Sequence, residues 1–171
     1  MRKKILIVIT GSIAAYKALY LIRKLKEKDF FINVIMTNSA KKFITPLSVS
    51  SLSEKRVYEN LFDLTEETEM GHIKLAKMHD LIIVMPASAN FMAKVSNGYA
   101  DDLATTVLLA SKTKVLFVPA MNINMLTNAI TQKNINYLQS LGYDFIFGNE
   151  GKLACGDYGL GRMSEPDDII K

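Results

Sequence analysis

The chain has 171 residues and a formal net charge of +4 at pH 7, and 49% of its residues are hydrophobic. This length and apolar content suffice for one buried core without disulfides or a structural metal. The excess of Lys and Arg is spread along the chain and forms no basic block, which argues against a nucleic-acid partner. The positive balance would suit an anionic small-molecule substrate, but solubility alone explains it equally well.

A single cysteine, Cys155, excludes an intramolecular disulfide, and the sequence has no CxxC motif or Cys/His cluster to hold zinc or an iron–sulfur cluster. We therefore expect no metal site and a reducing compartment, the cytoplasm. Residues 1–9 look superficially like a signal peptide, but their apolar run is too short and has no cleavage-like end. Since no apolar stretch approaches the roughly 20 residues needed to cross a bilayer, we expect no membrane partner.

Short apolar runs without alternation mark the predicted strands. In chain order they are Ile5–Ile9, Ile32–Met36, Leu81–Met85, Val115–Val118 and Phe145–Phe147, each short enough to be a strand buried on both faces. Between them lie segments with helical spacing, such as residues 15–25 and 130–141, the second of which stops at Gly142. This alternation predicts an α/β fold, a single Rossmann- or flavodoxin-like domain over residues 1–171 with helices on both faces of a parallel sheet.

Two segments depart from this alternation. The charged stretch Ser53–Gly71 is expected to be a surface connection. Four glycines fall between Gly151 and Gly161, too many for a helix interior, which predicts a hairpin or flap at about residues 149–165. Asp167–Lys171 has the pattern of the opening turn of a helix, and its abrupt end suggests the amino-terminal part of a longer protein.

Small and hydroxyl-bearing residues follow four of the runs, in the turns Thr10–Ala15, Thr37–Ala40, Pro86–Asn90 and Pro119–Asn122. Ordinary helix N-capping explains any one of them. In an open parallel sheet, however, such turns meet at one edge, where backbone N–H groups and helix dipoles attract anions. Together they predict a groove for a flat ring with a monophosphate tail, and the lack of a GxGxxG or Walker motif disfavours a dinucleotide or nucleoside triphosphate.

An ordered set of motifs runs nearly from end to end of the chain. The motifs are GSIAAYK at 11–17, GHI at 71–73, PASAN at 86–90, ADDL at 100–103, PAMNINM at 119–125, ACGD at 154–157 and GRM at 161–163. Each is weak alone, but with the whole set the chain resembles the homo-oligomeric flavin-containing cysteine decarboxylases. The last two motifs point to the branch of that family that acts in coenzyme A synthesis.

The resemblance implies FMN as the cofactor and a small-molecule substrate, 4′-phospho-N-pantothenoylcysteine. The family is understood to oxidise the thiol to a thioaldehyde, which makes loss of carbon dioxide easy, and then to reduce the resulting enethiol. The product here would be 4′-phosphopantetheine. The resemblance also implies a homotrimer, or a dodecamer of four trimers, with active sites built between subunits.

Three catalytic residues follow from the resemblance. His72 would be the base in thiol oxidation, Asn122 would bind the substrate carboxylate through its amide, and Cys155 would donate the last proton from the flap. Without the resemblance, the same three residues read as a helix-start histidine, a turn residue and a small buried apolar residue. His79 has no such support and is interpreted as structural.

The remaining site residues are implied in two groups. The flavin would be bound by Gly11, Ser12, Ile13, Ser39, Ala87, Ser88, Asn90, Asp102, Thr105 and Thr106. The substrate would be bound by Asn122, Met125, Ala154, Cys155 and Gly156. Asp101 and Asp102 could suggest an acid/base pair or a metal site, but their position favours the cap and first-turn charge of a helix.

The chain departs from the family pattern at Phe91, Leu126 and Ala129, where Thr, Trp and Pro are usual, which could alter a subunit contact or the flavin environment. Four alternatives stay open. Two are enzymes: a peptidyl-cysteine decarboxylase acting on a lantibiotic precursor, which would not use the Cys155 flap, and a flavin prenyltransferase, a branch that lacks the His-Ile and Pro-x-Met-Asn elements. The others are a flavodoxin-like electron carrier, disfavoured by the basic charge and the absence of Trp, and an inactive regulatory subunit, disfavoured by the presence of His72 and Asn122.

Overall fold

A computed structural model describes residues 2–62, 71–154, 156 and 158–171 of the chain. The strands are β1 (Lys4–Ile9), β2 (Phe31–Met36), β3 (Val57–Tyr58), β4 (Leu81–Ala87), β5 (Val115–Pro119), β6 (Asp144–Phe145), β7 (Gly151–Lys152) and β8 (Tyr158–Gly159). The α-helices are α1 (Tyr16–Glu27), α2 (Pro46–Ser53), α3 (Gly71–Lys77), α4 (Ala89–Ser96), α5 (Leu103–Ala110), α6 (Ile123–Thr127), α7 (Ala129–Ser140) and α8 (Pro166–Ile170). Short 3-10 helices cover Ile13–Ala15 and Ala40–Lys42.

The first six strands form one parallel sheet in the order β3-β2-β1-β4-β5-β6. The predicted α/β fold is therefore confirmed, and the first four predicted strands agree with the structure to within two residues at each end. The fifth prediction is wrong in its bounds, because pairing stops at Phe145 and the chain then turns away to pack Gly148 against the backbone of residues 162–164. Strand β3 lies in the stretch that was expected to be only a surface connection.

The core has two layers, one on each face of the sheet. Side chains of β1 alternate between them: Leu6 and Val8 point into one layer, and Ile5, Ile7 and Ile9 into the other. Helices α1 and α2 cover the second layer, whereas α3, α4, α5 and α7 contribute their buried side chains to the first. A strand buried on both faces needs no polar alternation, which is why β1 is one continuous apolar run.

A short hairpin follows the sheet. Strands β7 and β8 pair antiparallel, so a hairpin lies within the predicted stretch of about residues 149–165, while its action as a flap stays a prediction. Its base is tied to the sheet edge by Gly161, whose carbonyl accepts from the backbone N–H of Met121 at 3.1 Å. A methyl group on Gly161 would lie 2.5 Å from the Met121 carbonyl oxygen, so only glycine allows this approach.

The predicted final helix is present as α8, and two ion pairs connect this end of the chain to α1. Lys24 Nζ lies 2.6 Å from Asp167 Oδ1, and Lys17 Nζ lies 2.6 Å from Glu165 Oε1. Within the described residues, none of the helices combines the length and apolar character of a membrane-spanning segment. Nor do the described His, Cys, Asp and Glu side chains form a group of three that could hold a metal ion.

His79 is buried between α3 and the sheet, where both of its ring nitrogens have partners. Nδ1 lies 2.9 Å from the Leu75 carbonyl, and Nε2 lies 3.0 Å from Nδ2 of the buried Asn33. Neutral imidazole matches these partners, because Nδ1–H donates to the carbonyl and Nε2 accepts from the amide. Burial is the main cause that lowers the pKa of His79; the hydrogen bond to Leu75 and the charge of Asp80 oppose the shift, and the charge of Lys4 adds to it.

This lowered pKa predicts a loss of stability in mild acid. The unfolded chain binds a proton on His79 at a higher pH than the folded chain does, so the free energy of unfolding should fall as pH drops below about 6.5, by up to about 1.4 kcal/mol per pH unit. Urea denaturation of wild type and His79→Gln between pH 7.5 and 5.5 checks this. His79→Gln should lose this pH dependence of the free energy of unfolding, and His72→Gln should keep it. The same pH dependence in wild type and His79→Gln would contradict a neutral, buried His79.

Candidate functional site

The strand order reverses between β1 and β4. From β1 the chain adds β2 on one side of the sheet, and from β4 it adds β5 on the other side. Ligands of open parallel sheets bind outside the carboxyl ends of the strands at such a point. Thr10, directly after β1, is buried and fixes the two strand ends together. Its Oγ1 donates to the Pro86 carbonyl at 2.6 Å and accepts from the backbone N–H of Ser88 at 3.0 Å.

Two cavities open at this point, one on each side of Gly11 and Ser88, which line both. The first, which we call the polar cavity, has a volume of about 230 Å³. Its described lining residues are Thr10, Gly11, Met36, Thr37, Asn38, Ser39, Glu59, Ser88, Asn90, Phe91, Lys94, Asp101, Asp102, Leu103 and Ala104. Hydroxyl and amide groups from the ends of β1, β2 and β4 thus converge there.

A small charge network closes one side of the polar cavity. Lys94 Nζ lies 2.7 Å from Asp101 Oδ2 and 3.7 Å from Asp102 Oδ2. The hydrogen bond to Asp101 raises the pKa of Lys94, and the same bond lowers the pKa of Asp101. Asp102 is the N-cap of α5 in a capping box with Thr105, so its interpretation as a cap is confirmed. The predicted first-turn charge was wrong, because Asp101 lies before the cap and the first turn of α5 has no acidic residue.

The second cavity, which we call the apolar cavity, has a volume of about 480 Å³. Its described lining residues are Gly11, Ser12, Ile13, Ala14, Tyr16, Lys17, Ser88, Ala89, Ala120, Met121, Asn122, Met125, Leu153, Ala154, Gly161, Arg162 and Met163. Asn122 is the N-cap of α6, and its Oδ1 accepts from the backbone N–H of Asn124 at 2.8 Å. This bond orients the side-chain amide at the helix start.

Gly11 lines both cavities, and we call the point where the two adjoin the neck. A methyl group at this position would lie 2.5 Å from Cβ of Ser39, so any larger residue would displace the turn after β2. A ligand with a polar, anionic arm and a flat apolar ring could occupy both cavities through this neck. A flavin mononucleotide has this shape and polarity, and the residues present therefore fit it.

Most of the residues implied by the resemblance lie in these cavities. Those lining the polar cavity are Gly11, Ser39, Ser88, Asn90 and Asp102, and those lining the apolar cavity are Gly11, Ser12, Ile13, Ser88, Asn122, Met125 and Ala154. The fold thus brings the candidate carboxylate-binding residue, one wall of the hairpin and the candidate flavin-binding turns together.

Other implied residues are placed elsewhere. His72 lies in the first turn of α3 and is not among the described lining residues of either cavity. Thr105 is buried, and its hydroxyl bonds with Asp102, as does that of Thr106. Ala87 is also buried, and Gly156 stands in the hairpin without lining either cavity in the described part of the chain. Cys155 lies outside the described residues.

Two cations of the apolar cavity, Lys17 and Arg162, belong to the sequence motifs but were not predicted as site residues. Lys17 lies in register with Leu21 and Leu25 on the buried face of α1, and it is buried. The departures from the family pattern have local explanations: Phe91 is in the core and lines the polar cavity, Leu126 is buried in the core, and Ala129 is the first residue of α7.

Comparison with known proteins identifies one family, and the similar proteins belong to coenzyme A biosynthesis or share its decarboxylase name. The flavoprotein family model matches residues 1–171. The chain is 45% identical over 173 residues to a probable phosphopantothenoylcysteine decarboxylase of Streptococcus mutans, covering 100% of this chain and 97% of the relative. It is 46% identical over 168 residues to the coenzyme A biosynthesis bifunctional protein CoaBC of Haemophilus influenzae, covering 98% of this chain but only 42% of that relative.

Solved structures share the fold. A PPC decarboxylase variant complexed with pantothenoylaminoethenethiol superimposes with a TM-score of 0.86 at 29% identity, covering 99% of this chain and 94% of the other. The peptidyl-cysteine decarboxylase EpiD superimposes with a TM-score of 0.83 at 31% identity, covering 99% and 97%. Both similarities extend over nearly the whole of each chain.

The contacts of Thr10 predict a large cost for removing one hydroxyl. Thr10→Val keeps the shape but leaves the buried Pro86 carbonyl and Ser88 N–H without this partner, which should lower the free energy of unfolding by about 1–3 kcal/mol. Thr127→Val is the matched control, since the Thr127 hydroxyl bonds only within exposed α6 and its loss should cost less than about 0.5 kcal/mol. Equal losses in the two variants, measured by urea denaturation, would refute the role of Thr10.

Proposed function

Because the chain belongs to the flavoprotein family, we propose that it is an FMN-dependent decarboxylase that converts 4′-phospho-N-pantothenoylcysteine to 4′-phosphopantetheine in coenzyme A synthesis. The observation that carries the proposal is the pair of cavities joined at Gly11 and Ser88, with Asn122 in the apolar one. Residues 1–171 would form one FMN-binding decarboxylase domain. The reaction would take place in the cytoplasm.

FMN would be held across the neck at Gly11. Ser39, Ser88 and Asn90 supply hydroxyl and amide groups for the ribityl phosphate in the polar cavity, and Asp102 offers a carboxylate to the ribityl hydroxyls. The ring would occupy the apolar cavity beside Ser12 and Ile13. When bound, FMN supplies the two-electron oxidation of the substrate thiol and returns the electrons later in the reaction.

Asn122 would hold the substrate carboxylate by hydrogen bonds from its amide. A neutral amide suits this task because it positions the carboxylate without the stabilisation that an ion pair would give to the ground state. Met125 and Ala154 line the same cavity and would pack on the substrate. Cys155 follows Ala154 directly and would donate the proton that completes the reduction of the enethiol.

His72 would act as the base for thiol oxidation in the site of a neighbouring subunit. Within one chain, the described lining of both cavities does not include it. The apolar cavity also has exposed apolar side chains at its rim: Ile13 is 60% exposed, Tyr16 48% and Met125 49%. Such side chains favour burial against another subunit. A homotrimer, or a dodecamer of four trimers, would complete the site in this way.

A substrate assay tests the activity. Wild-type protein incubated with 4′-phospho-N-pantothenoylcysteine should give 4′-phosphopantetheine, followed by mass. His72→Asn should lower the rate by about 100- to 10,000-fold, the range of a lost general base. Cys155→Ser should accumulate an oxidised, decarboxylated species. If the yellow wild-type protein leaves this substrate unchanged and decarboxylates a peptide ending in cysteine, the substrate assignment is wrong and the peptidyl-cysteine alternative replaces it.

A mixing experiment tests whether the site is shared between subunits. Asn122→Asp keeps an N-cap on α6 but replaces the amide donor by a negative charge, so it should be inactive and folded. Co-expressed His72→Asn and Asn122→Asp chains should recover activity, because in randomly assembled trimers about a quarter of the sites would combine an intact Asn122 with an intact neighbouring His72. Each variant alone is the control. Mixed oligomers as inactive as the separate variants would place His72 within its own subunit's site.

A further inference from the structure

The apolar cavity is lined by two cations. Lys17 and Arg162 are the only charged side chains among its described lining residues, and no described carboxylate lines it. The rest of its described lining is apolar or uncharged, and Lys17 is 9% exposed. A buried ammonium facing an uncharged cavity is costly unless it has an anionic partner.

Part of that compensation is visible behind the cavity. Lys17 Nζ lies 2.6 Å from Glu165 Oε1 and 3.3 Å from the Met163 carbonyl, and Arg162 Nη2 lies 3.4 Å from the same Glu165 oxygen. Two cations therefore share one carboxylate, which leaves a net charge of about +1 for the cluster of three side chains. Lys17 donates two of its three ammonium N–H groups to partners in the described part of the chain, the Met163 carbonyl and Glu165.

Arg162 is partly exposed and packs on the base of the hairpin. Its side chain lies on Gly151, where an added methyl group would come within 2.5 Å of Nη1 and 2.8 Å of Cδ. A larger residue at position 151 would therefore displace the Arg162 side chain from this place. Lys17, in the first turn of α1, and Arg162, at the end of the hairpin, approach the cavity from two different elements.

We propose that Lys17 and Arg162 form the subsite for the phosphate of the substrate, and so determine that the phosphorylated substrate is preferred. This inference rests on the proposed function, since it names which groups of the same site bind the far end of the substrate. The substrate has two anionic ends, a carboxylate and a phosphate. The neutral amide of Asn122 suits the carboxylate, and a guanidinium with an ammonium suits a phosphate that carries nearly two charges.

The flavin phosphate is the competing occupant, because the charged residues in the described lining of the polar cavity are three carboxylates and one ammonium, whereas those of the apolar cavity are both cations. The position of the hydroxyl groups argues against this occupant. Thr37, Ser39 and Ser88 all line the polar cavity. The neck at Gly11 separates this cavity from most of the residues that line the apolar cavity. With the flavin phosphate in the polar cavity and the substrate phosphate in the apolar cavity, each phosphate would have its own set of hydrogen-bond donors. The subsite is therefore assigned to the substrate.

The test compares phosphorylated with unphosphorylated substrate, using flavin-loaded protein of equal flavin content. For Lys17→Met and Arg162→Met, the ratio of kcat/KM for 4′-phosphopantothenoylcysteine to that for pantothenoylcysteine should fall about 10- to 100-fold, which is the value of a charge-assisted hydrogen bond. Arg162→Lys should restore part of the ratio because it keeps the charge. Glu165→Gln is the matched control: it frees both cations and should raise the ratio.

A merely structural role would give a different pattern. If Lys17 and Glu165 only tie α1 to the hairpin, Lys17→Met and Glu165→Gln should change both substrates alike and leave the ratio as in wild type, which overturns the proposal. Loss of flavin from Lys17→Met and Arg162→Met during purification, with Glu165→Gln still yellow, would overturn it as well, since the cations would then hold the flavin phosphate.

A binding measurement separates this proposal from the decarboxylase assignment. Titration calorimetry with 4′-phosphopantothenate and pantothenate needs no turnover, and wild type should bind the phosphorylated compound at least about tenfold more tightly. Wild type that shows this preference but decarboxylates neither substrate would refute the activity and keep the subsite. Wild type that decarboxylates both substrates with equal kcat/KM and binds both compounds equally would keep the activity and refute the subsite.

Discussion

The hydroxyl of Thr10 connects the two strands from which the whole site is built. It is buried at the end of β1, and through Pro86 and Ser88 it sets where the turn after β4 begins. Because β1 and β4 lead away in opposite directions, the turns that follow them diverge and leave a crevice between them. Gly11 and Ser88 stand in this crevice, so the position of one hydroxyl group determines how the two cavities meet.

The two cavities differ in electrostatics as well as in polarity. The polar cavity contains Glu59, Asp101 and Asp102 with Lys94 among its lining residues, whereas the described charged residues of the apolar cavity are both cations. In the polar cavity Lys94 pairs with Asp101 and lies near Asp102, and Glu59 pairs with Lys41 outside the lining, so the hydroxyl and amide groups are the donors left for a ligand. In the apolar cavity the low polarity strengthens every charge–charge interaction. The positive charges of the apolar cavity therefore help the cavity shape to orient a ligand that has an anionic end.

The sequence predicted the strands well, because β1, β2, β4 and β5 are buried on both faces and appear as continuous apolar runs. It did not predict β3, whose two residues are too few to show a period, and it misplaced β6, where the packing of Gly148 ends the strand. The turns that line the cavities were found through their small and hydroxyl-bearing residues. The ion pair of Lys17 could not be predicted in this way, because its partner Glu165 is distant in sequence.

The arrangement of Lys17, Arg162 and Glu165 explains how a decarboxylase could bind a substrate with both a phosphate and a carboxylate without placing the carboxylate in the phosphate subsite. Two unshared cations would attract the carboxylate of the substrate as well as its phosphate, and a carboxylate held in an ion pair is harder to lose. Glu165 reduces the cluster to a net charge of about +1, which weakens its attraction for a singly charged carboxylate. The phosphate, with nearly twice the charge and three acceptor oxygens, still gains more from the same donors. A partly neutralised cation pair at one end and a neutral amide at the other thus fix the direction in which the substrate binds.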